Sequence, residues 1–250
     1  MDIQRYLDRI GFSQVDKADF PTLQRLQQQH LMTVPFENLD IHLGKPIILD
    51  ADTIYRKIVL DRRGGFCYEL NSAFGTLLTE IGYHVTMVSG RVHTSSGGFG
   101  PEFDHMALIV HLEKDYLVDV GFGDCCRVPL PLSGDKREDI SGCYRIRLRP
   151  GTEEIYALEK REDKRWKAEY LFTSTPRQLD EFTLMCEHQQ TSPTSIFKQR
   201  WICTIATPTG RISVSDDHLT LTENGEKNKI AIPDEAARKE LIRHYFHLDI

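Results

Sequence analysis

Three residues in this sequence have the types and spacing to do chemistry together. Cys67 follows the turn Arg62-Arg63-Gly64-Gly65-Phe66 and opens Cys67-Tyr68-Glu69-Leu70-Asn71; His105 heads the apolar run that begins at Met106; Asp119 sits between Val118 and Val120. A cysteine acts as a nucleophile when a base removes its proton and a third group orients that base. At the first turn of a helix, unpaired backbone NH groups and the helix dipole favour the thiolate, and the same NH groups are candidates for an oxyanion hole. An aspartate between two valines is costly to bury unless it is paired, and the histidine on a neighbouring strand is the natural partner. Order and spacing thus suggest a helix-start nucleophile with its base and orienting acid on two adjacent strands, a papain-like arrangement.

One geometric difficulty stands against this reading. If the hairpin after His105 turns at Glu113-Lys114-Asp115, paired positions sum to 228, and His105 and Asp119 share a face but stand four residues apart. At about 3.3 Å per residue the separation is roughly 13 Å, too far for a hydrogen bond. A bulge, a strong twist or a shifted register is needed to close it. Asp104 is the other acid within reach of the argument, but adjacent strand residues point to opposite faces.

The elements that must position these groups are readable. Ile3, Tyr6, Leu7 and Ile10 recur at helical spacing; Leu23, Leu26 and His30 follow the start signals Asp19 and Pro21; Ile54 and Ile58 suggest a third helix behind Asp52. Cys67, Leu70, Phe74, Leu77, Leu78 and Ile81 form one apolar stripe that ends at Gly82, so Cys67 opens a buried helix. From Tyr83 the period changes to two, and strands are expected at Val85 and Met87, His105 to Leu112, Tyr116 to Val120, Tyr144 to Leu148, Ile155 to Leu158 and Trp166 to Phe172. A helix from about Pro176 to Glu187, strands over 200–206, 211–215, 218–222 and 229–232, and a last helix from Pro233 to Phe246 complete the chain. The expected fold class is α+β: a helical bundle over 1–82, a central antiparallel β-barrel over 83–172 and an α/β lid over 173–250.

Composition narrows the functions open to such a chain. The 250 residues carry 31 Lys plus Arg against 37 Asp plus Glu, a net charge of −6, which argues against a nucleic-acid or anionic-membrane surface while leaving room for a local basic patch. No apolar run is long enough to span a bilayer, and acids at Asp2 and Asp8 make the N-terminal residues unlike a signal peptide. The six cysteines show no Cys-x-x-Cys spacing, and the adjacent pair Cys125-Cys126 is expected as free thiols in a reducing, cytoplasmic setting. No metal site is expected either. His244 and His247 lack a third ligand nearby. No apolar stripe marks an oligomer interface, so the oligomeric state stays open.

Arg62-Arg63-Gly64-Gly65-Phe66-Cys67-Tyr68-Glu69-Leu70-Asn71, the upstream Val34-Pro35-Phe36-Glu37-Asn38-Leu39, Asp104-His105-Met106, Val118-Asp119-Val120-Gly121-Phe122-Gly123 and Thr191-Ser192-Pro193-Thr194-Ser195-Ile196-Phe197 together resemble the arylamine N-acetyltransferase family over nearly the whole chain. The resemblance implies a Cys-His-Asp triad of Cys67, His105 and Asp119. It also implies acetyl transfer to the nitrogen of arylamines or arylhydrazines through an acetyl-cysteine, with acetyl-CoA as co-substrate and no permanently bound cofactor. The alternative use of such a triad is that of a cysteine amidase, thioesterase or transglutaminase-like enzyme. Phe36, Phe66, Phe103 and Phe122 are candidate walls for an aromatic substrate, with ordinary core packing an equal explanation. Thr191, Thr194 and Ser195 are candidate CoA contacts, with capping and turn formation equally good. Arg63 is expected to tie the turn to Glu37. The Gly-rich loop over 96–100 reads as a mobile connection more readily than as a phosphate cradle.

Overall fold

The computed structural model describes residues 1–151 and 154–250. The N-terminal third is built from α1 (Ile3–Arg9), α2 (Phe20–Thr33), α3 (Leu39–His42), α4 (Ala51–Tyr55) and α5 (Cys67–Ile81), with the short strand β1 (Phe36–Glu37) between α2 and α3. Asp19 caps α2 by accepting from the Thr22 NH. Asp50, not Asp52, caps α4 through the Thr53 NH, and the chain runs on from α4 as a π-helical turn over Arg56–Leu60. On α5 the predicted stripe is buried: Leu70, Phe74, Leu77 and Leu78 have no exposed surface, each contributing about 1.5–3 kcal/mol of burial, and Gly82 closes the helix at φ +110°.

Among the described residues eight strands follow, and with their helical cover they place the rest of the site. They are β2 (His84–Val92), β3 (His105–His111), β4 (Asp115–Val118), β5 (Leu130–Pro131), β6 (Arg137–Asp139), β7 (Gly142–Leu148), β8 (Ile155–Glu162) and β9 (Arg165–Thr173). They pair in the order β5-β4-β3-β2-β9-β8-β7-β6, all antiparallel, and the sheet curls until β5 approaches β7, giving a nearly closed barrel. Val88, Ala107, Ile109, Leu117, Leu130, Tyr144, Ile146, Leu158 and Tyr170 fill its interior. The opposite face of β3 and β4 packs on α5, joining Met106, Leu108, Val110 and Val118 to Leu70, Phe74 and Leu77 in the main core.

After a 3-10 turn (Leu179–Phe182) come α6 (Thr183–Thr191), α7 (Ile196–Gln199), β10 (Cys203–Thr207), β11 (Gly210–Val214), β12 (His218–Glu223), β13 (Glu226–Ala231) and α8 (Glu235–Phe246). The single helix read from Pro176 to Glu187 is therefore a 3-10 turn continued by α6, which begins later and ends later. The second sheet has the order β1-β10-β11-β12-β13, with α8 packed against it through Ile242 and Phe246. Its first strand comes from the region that the sequence reads as purely helical. Phe36 and Glu37 pair with Thr204 and Cys203, and Phe36 also bridges to Gly65, so one short strand links the turn before Cys67 to the C-terminal sheet. Among the described residues no helix is long and apolar enough to cross a membrane.

Candidate active site

Cys67 is the first residue of α5, and its position is fixed from beneath by buried charges. Arg63 reaches Glu37 at 2.8 Å and Asp40 at 3.0 Å, while Lys57 joins Asp40 at 2.7 Å and Glu69 at 2.8 Å. Glu69 Oε2 accepts from the Phe66 NH at 3.2 Å, which locks the turn directly before the cysteine. Gly64 and Gly65 are required here by contact: a Cβ on Gly64 would stand 2.1 Å from the Pro35 carbonyl oxygen, and one on Gly65 would stand 2.8 Å from Glu69 Oε2. Phe66 makes no side-chain cap hydrogen bond to α5, so the NH groups of the first helical turn carry no side-chain cap from it.

The β3–β4 register resolves the distance problem. Leu108 pairs with Val118 and Val110 with Tyr116, so paired numbers sum to 226 rather than 228. Asp119 therefore stands two residues from His105, not four. Such a diagonal separation is about 7–8 Å between backbones, within reach of a long side chain. The ladder also ends at Val118, which frees Asp119 to turn inward. The result is a contact of 2.7 Å between His105 Nε2 and Asp119 Oδ2, with both residues buried.

Asp119 is held from four directions. Oδ2 accepts from His105 Nε2 and, at 2.9 Å, from the Tyr170 hydroxyl; Oδ1 accepts from Asn71 Nδ2 at 2.9 Å and from the Gly121 NH at 2.8 Å. Burial pushes its carboxyl up, but the charge of His105 and these hydrogen bonds outweigh it and hold the pKa below the ordinary carboxylate value. Because an ionised carboxylate only accepts, His105 presents Nε2–H to it and leaves Nδ1 for another partner. Asn71 ties α5 to β3 and to the segment after β4, donating to the Met106 carbonyl at 2.6 Å as well as to Asp119 and accepting from the Val120 NH at 2.9 Å. Neither Asn71 nor Tyr170 is singled out by sequence reasoning, although Asn71 closes the glycine-cysteine motif at one helical turn from Cys67.

The Cys67 thiol departs from the expectation drawn from the helix dipole. Burial pushes its pKa well up, the Met106 backbone NH pulls the other way, and the Asp119 charge raises it further. Burial thus works against the helix dipole at this thiol, and a positive charge beside it would favour the anion.

Cys67 and His105 open into a cleft of about 730 Å³ between the barrel and the second sheet. Phe36 and Phe122 line it, and the Phe122 ring stands edge-on to His105 at 5.1 Å. Phe66 and Phe103 do not line it. Phe66 is completely buried against Tyr68 and Phe197, and Phe103, at φ +66°, packs edge-on against Phe182. Thr191, Thr194 and Ser195 also lie off the cleft wall, each with local work. Thr191 Oγ donates to the Glu187 carbonyl, Thr194 Oγ pairs with Ser192, and Ser195 caps α7 while donating to Gln189 Oε1 at 2.6 Å. Their neighbours Gln189, Ile196 and Phe197 are the residues that face the cleft. The Gly-rich loop closes as a turn, with Thr94 Oγ donating to the Gly97 carbonyl, and lies outside the cleft lining.

The far wall carries a pattern that the sequence hides. Phe36, Thr204, Ser213, Thr220 and Lys229 are successive register partners across all five strands, and Arg211, Thr222 and Lys227 form a second row beside them. All eight line the cleft. With neighbouring strands about 4.8 Å apart, the first row runs roughly 19 Å from Phe36, at the Cys67 end, to a lysine at the sheet edge. The period-two alternation of Thr220 and Thr222, and of Lys227 and Lys229, is visible in the sequence; which face it turns to the cleft is not. The six cysteines are free thiols, with Cys125 and Cys126 Sγ 3.7 Å apart in the barrel core. Among the described residues no group of three or more His, Cys, Asp or Glu is arranged to hold a metal ion.

Comparison with known proteins places these features in a family. A family model described as N-acetyltransferase matches residues 19–250. The chain is 35% identical over 233 residues to the arylamine N-acetyltransferase pineal gland isozyme NAT-3 of Gallus gallus, an alignment covering 84% of this chain and 79% of that one. Among solved structures, arylamine N-acetyltransferase C from Bacillus anthracis superposes with a TM-score of 0.91 at 30% identity, covering 99% of this chain and 98% of the other. The Mycobacterium marinum arylamine N-acetyltransferase in complex with CoA gives 0.90 at 29% identity, covering 98% and 92%.

Proposed function

The chain belongs to the arylamine N-acetyltransferase family, and from that membership we propose that it transfers an acetyl group from acetyl-CoA to the nitrogen of arylamines or arylhydrazines, with Cys67 as nucleophile, His105 as base and Asp119 as orienting acid. The observation that carries the reading is the 2.7 Å contact between His105 and Asp119 in a cleft that also receives Cys67. Asp119 fixes the tautomer, so His105 Nδ1 takes the Cys67 proton. The thiolate, stabilised by the imidazolium, attacks the thioester carbonyl, and the NH groups at the start of α5 are positioned to receive the oxyanion. Collapse of the intermediate breaks the bond to CoA sulfur, and the Nδ1 proton leaves with the CoA thiol. An arylamine then attacks the acetyl-cysteine, Nδ1 accepts the amine proton, and the thiol is restored as the amide departs.

The two polar rows on the second sheet support a place for the donor. In this reading the pantetheine arm lies along Thr204, Ser213 and Thr220, and the phosphates meet Lys227 and Lys229 at the sheet edge. This assignment takes the place of Thr191, Thr194 and Ser195. Phe36 and Phe122 remain as the aromatic walls near the acetyl group. A reducing, cytoplasmic setting belongs to the same reading, because Cys67 must stay a free thiol to accept the acetyl group. Hydrolysis of an amide or thioester by the same triad is disfavoured by the family to which the chain belongs.

The test is acetylation of the protein by acetyl-CoA followed by intact-mass measurement. The wild type is expected to carry one acetyl group, which an added arylamine discharges as N-acetyl product in ping-pong kinetics, and Cys67→Ser is expected to carry none. Robust turnover by Cys67→Ser would sink the nucleophile assignment.

A further inference from the structure

Asp104 is a half-buried carboxylate on the cleft wall, one residue before His105. Its side-chain partner among the described residues is Gln189, whose Nε2 donates to Oδ1 at 2.8 Å; Gln189 is in turn fixed by Ser195 Oγ at 2.6 Å, and both of these residues are buried. The hydrogen bond that holds the carboxylate thus comes from a neutral amide, whereas Asp119 is hydrogen-bonded to His105. Burial pushes the Asp104 carboxyl above its ordinary value, and His105, the Val92 backbone, Gln189 and His188 counter this only in part.

Charge along the cleft is segregated. Arg127 is engaged by the Thr207 and Gly210 carbonyls, Arg211 by Asp124 and Thr204, and Lys227 and Lys229 lie at the outer strand of the second sheet. The opposite end, around Cys67, is walled by Phe36, Val92, Phe122 and Phe197. Asp104 is the carboxylate on that wall that forms no salt bridge among the described residues, with His105 and His188 as the neighbouring groups whose protonated forms it would attract. A negative group in an apolar pocket acts over several ångströms, because little water stands there to screen it.

We propose that Asp104, held by Gln189, is a selectivity residue for the acetyl acceptor: it disfavours arylamines that carry a ring carboxylate and favours uncharged or cationic arylamines and hydrazines. The inference rests on the acetyl-transfer reading above and adds to it the charge class of the acceptor. It concerns the second half of the reaction, in which the amine approaches acetyl-Cys67.

The experiment compares 4-aminobenzoate with its uncharged counterpart 4-aminobenzamide, using acetyl-CoA as donor throughout. The wild type is expected to favour the amide in kcat/KM by about fivefold or more, and Asp104→Asn, which keeps the shape and an oxygen for Gln189, is expected to bring the ratio within about twofold of unity. A ratio unmoved by Asp104→Asn, or a wild type that does not favour the amide, overturns the proposal. Should Asp104→Asn fold poorly, Asp104→Ser removes the same charge and is expected to bring the ratio within about twofold of unity, and a ratio that stays at the wild-type value in that variant overturns the role of Asp104. Absence of N-acetyl product with either acceptor, in a protein that acetyl-CoA still acetylates, would sink the arylamine reading itself and Asp104's role with it.

Discussion

Gly121 lies against the backbone of Cys67 so closely that a Cβ there would stand 2.7 Å from the cysteine's Cα and 2.6 Å from Asn71 Nδ2. The same residue donates its NH to Asp119 Oδ1 at 2.8 Å. The loop that leaves β4 therefore touches the helix that Cys67 opens and the Asp119 carboxylate at once, with no side chain between them. Gly121→Ala is expected to push loop and helix apart and slow acetylation of Cys67 about 100-fold while the fold persists, because sub-ångström misplacement of reacting groups costs rate steeply. Pre-steady-state release of p-nitrophenol from p-nitrophenyl acetate measures it, and a burst rate near that of the wild type would show the contact to be slack.

Asp119→Asn tests the orienting role separately from the shape of the site. The amide still fits, but it no longer stabilises an imidazolium and can favour the wrong tautomer. Acetylation is expected to fall by about 10³–10⁴-fold, the magnitude seen when the acid of a comparable triad is neutralised. Circular dichroism should show an unchanged fold; a loss of less than tenfold would argue that Asp119 does no more than fill space.

The lysines at the sheet edge predict a split between donors. Lys227→Glu combined with Lys229→Glu should raise the KM for acetyl-CoA by about tenfold or more, since two charge-assisted contacts to phosphate are replaced by repulsion. With p-nitrophenyl acetate, which has no phosphate, the same variant should behave as the wild type. Equal effects on both donors would remove the phosphate end of CoA from this edge.

His30 predicts how stability responds to acid. It is fully buried, its Nε2 pairs with the Tyr6 hydroxyl at 3.0 Å, and burial together with the charge of Arg9 pulls its pKa down from 6.5 to about 3. Between those values the unfolded chain binds a proton that the folded protein refuses. Stability therefore falls as pH drops from 6.5 towards 3, by up to about 1.4 kcal/mol per pH unit, and is unaffected by this group above 6.5. Urea midpoints should decline less steeply below pH 6.5 in His30→Phe than in the wild type; parallel curves would show that His30 titrates normally.

The sequence alone determined the pieces that depend on neighbours a few residues away. The stripe from Cys67 to Ile81, its Gly82 stop and the period-two runs of the barrel are set by contacts at i+2, i+3 and i+4, and they placed Cys67 at a helix start and His105 at a strand start. The family motifs carried Asp119 with them. What the tertiary structure decided is every relation between segments far apart in the chain. Alternation says which residues share a face but not how far two strands slide, and the two-residue shift in the β3–β4 pairing is what brings Asp119 to His105. The same ignorance of packing put Phe66 and Phe103 on the cleft wall, where an aromatic for a substrate and one for the core look alike. It also hid the row from Phe36 to Lys229, because five short strands acquire a common face only once β1 joins a sheet formed more than 160 residues later. Local sequence fixes parity and periodicity; register, and with it the meeting of reactive groups, follows from how the whole core closes.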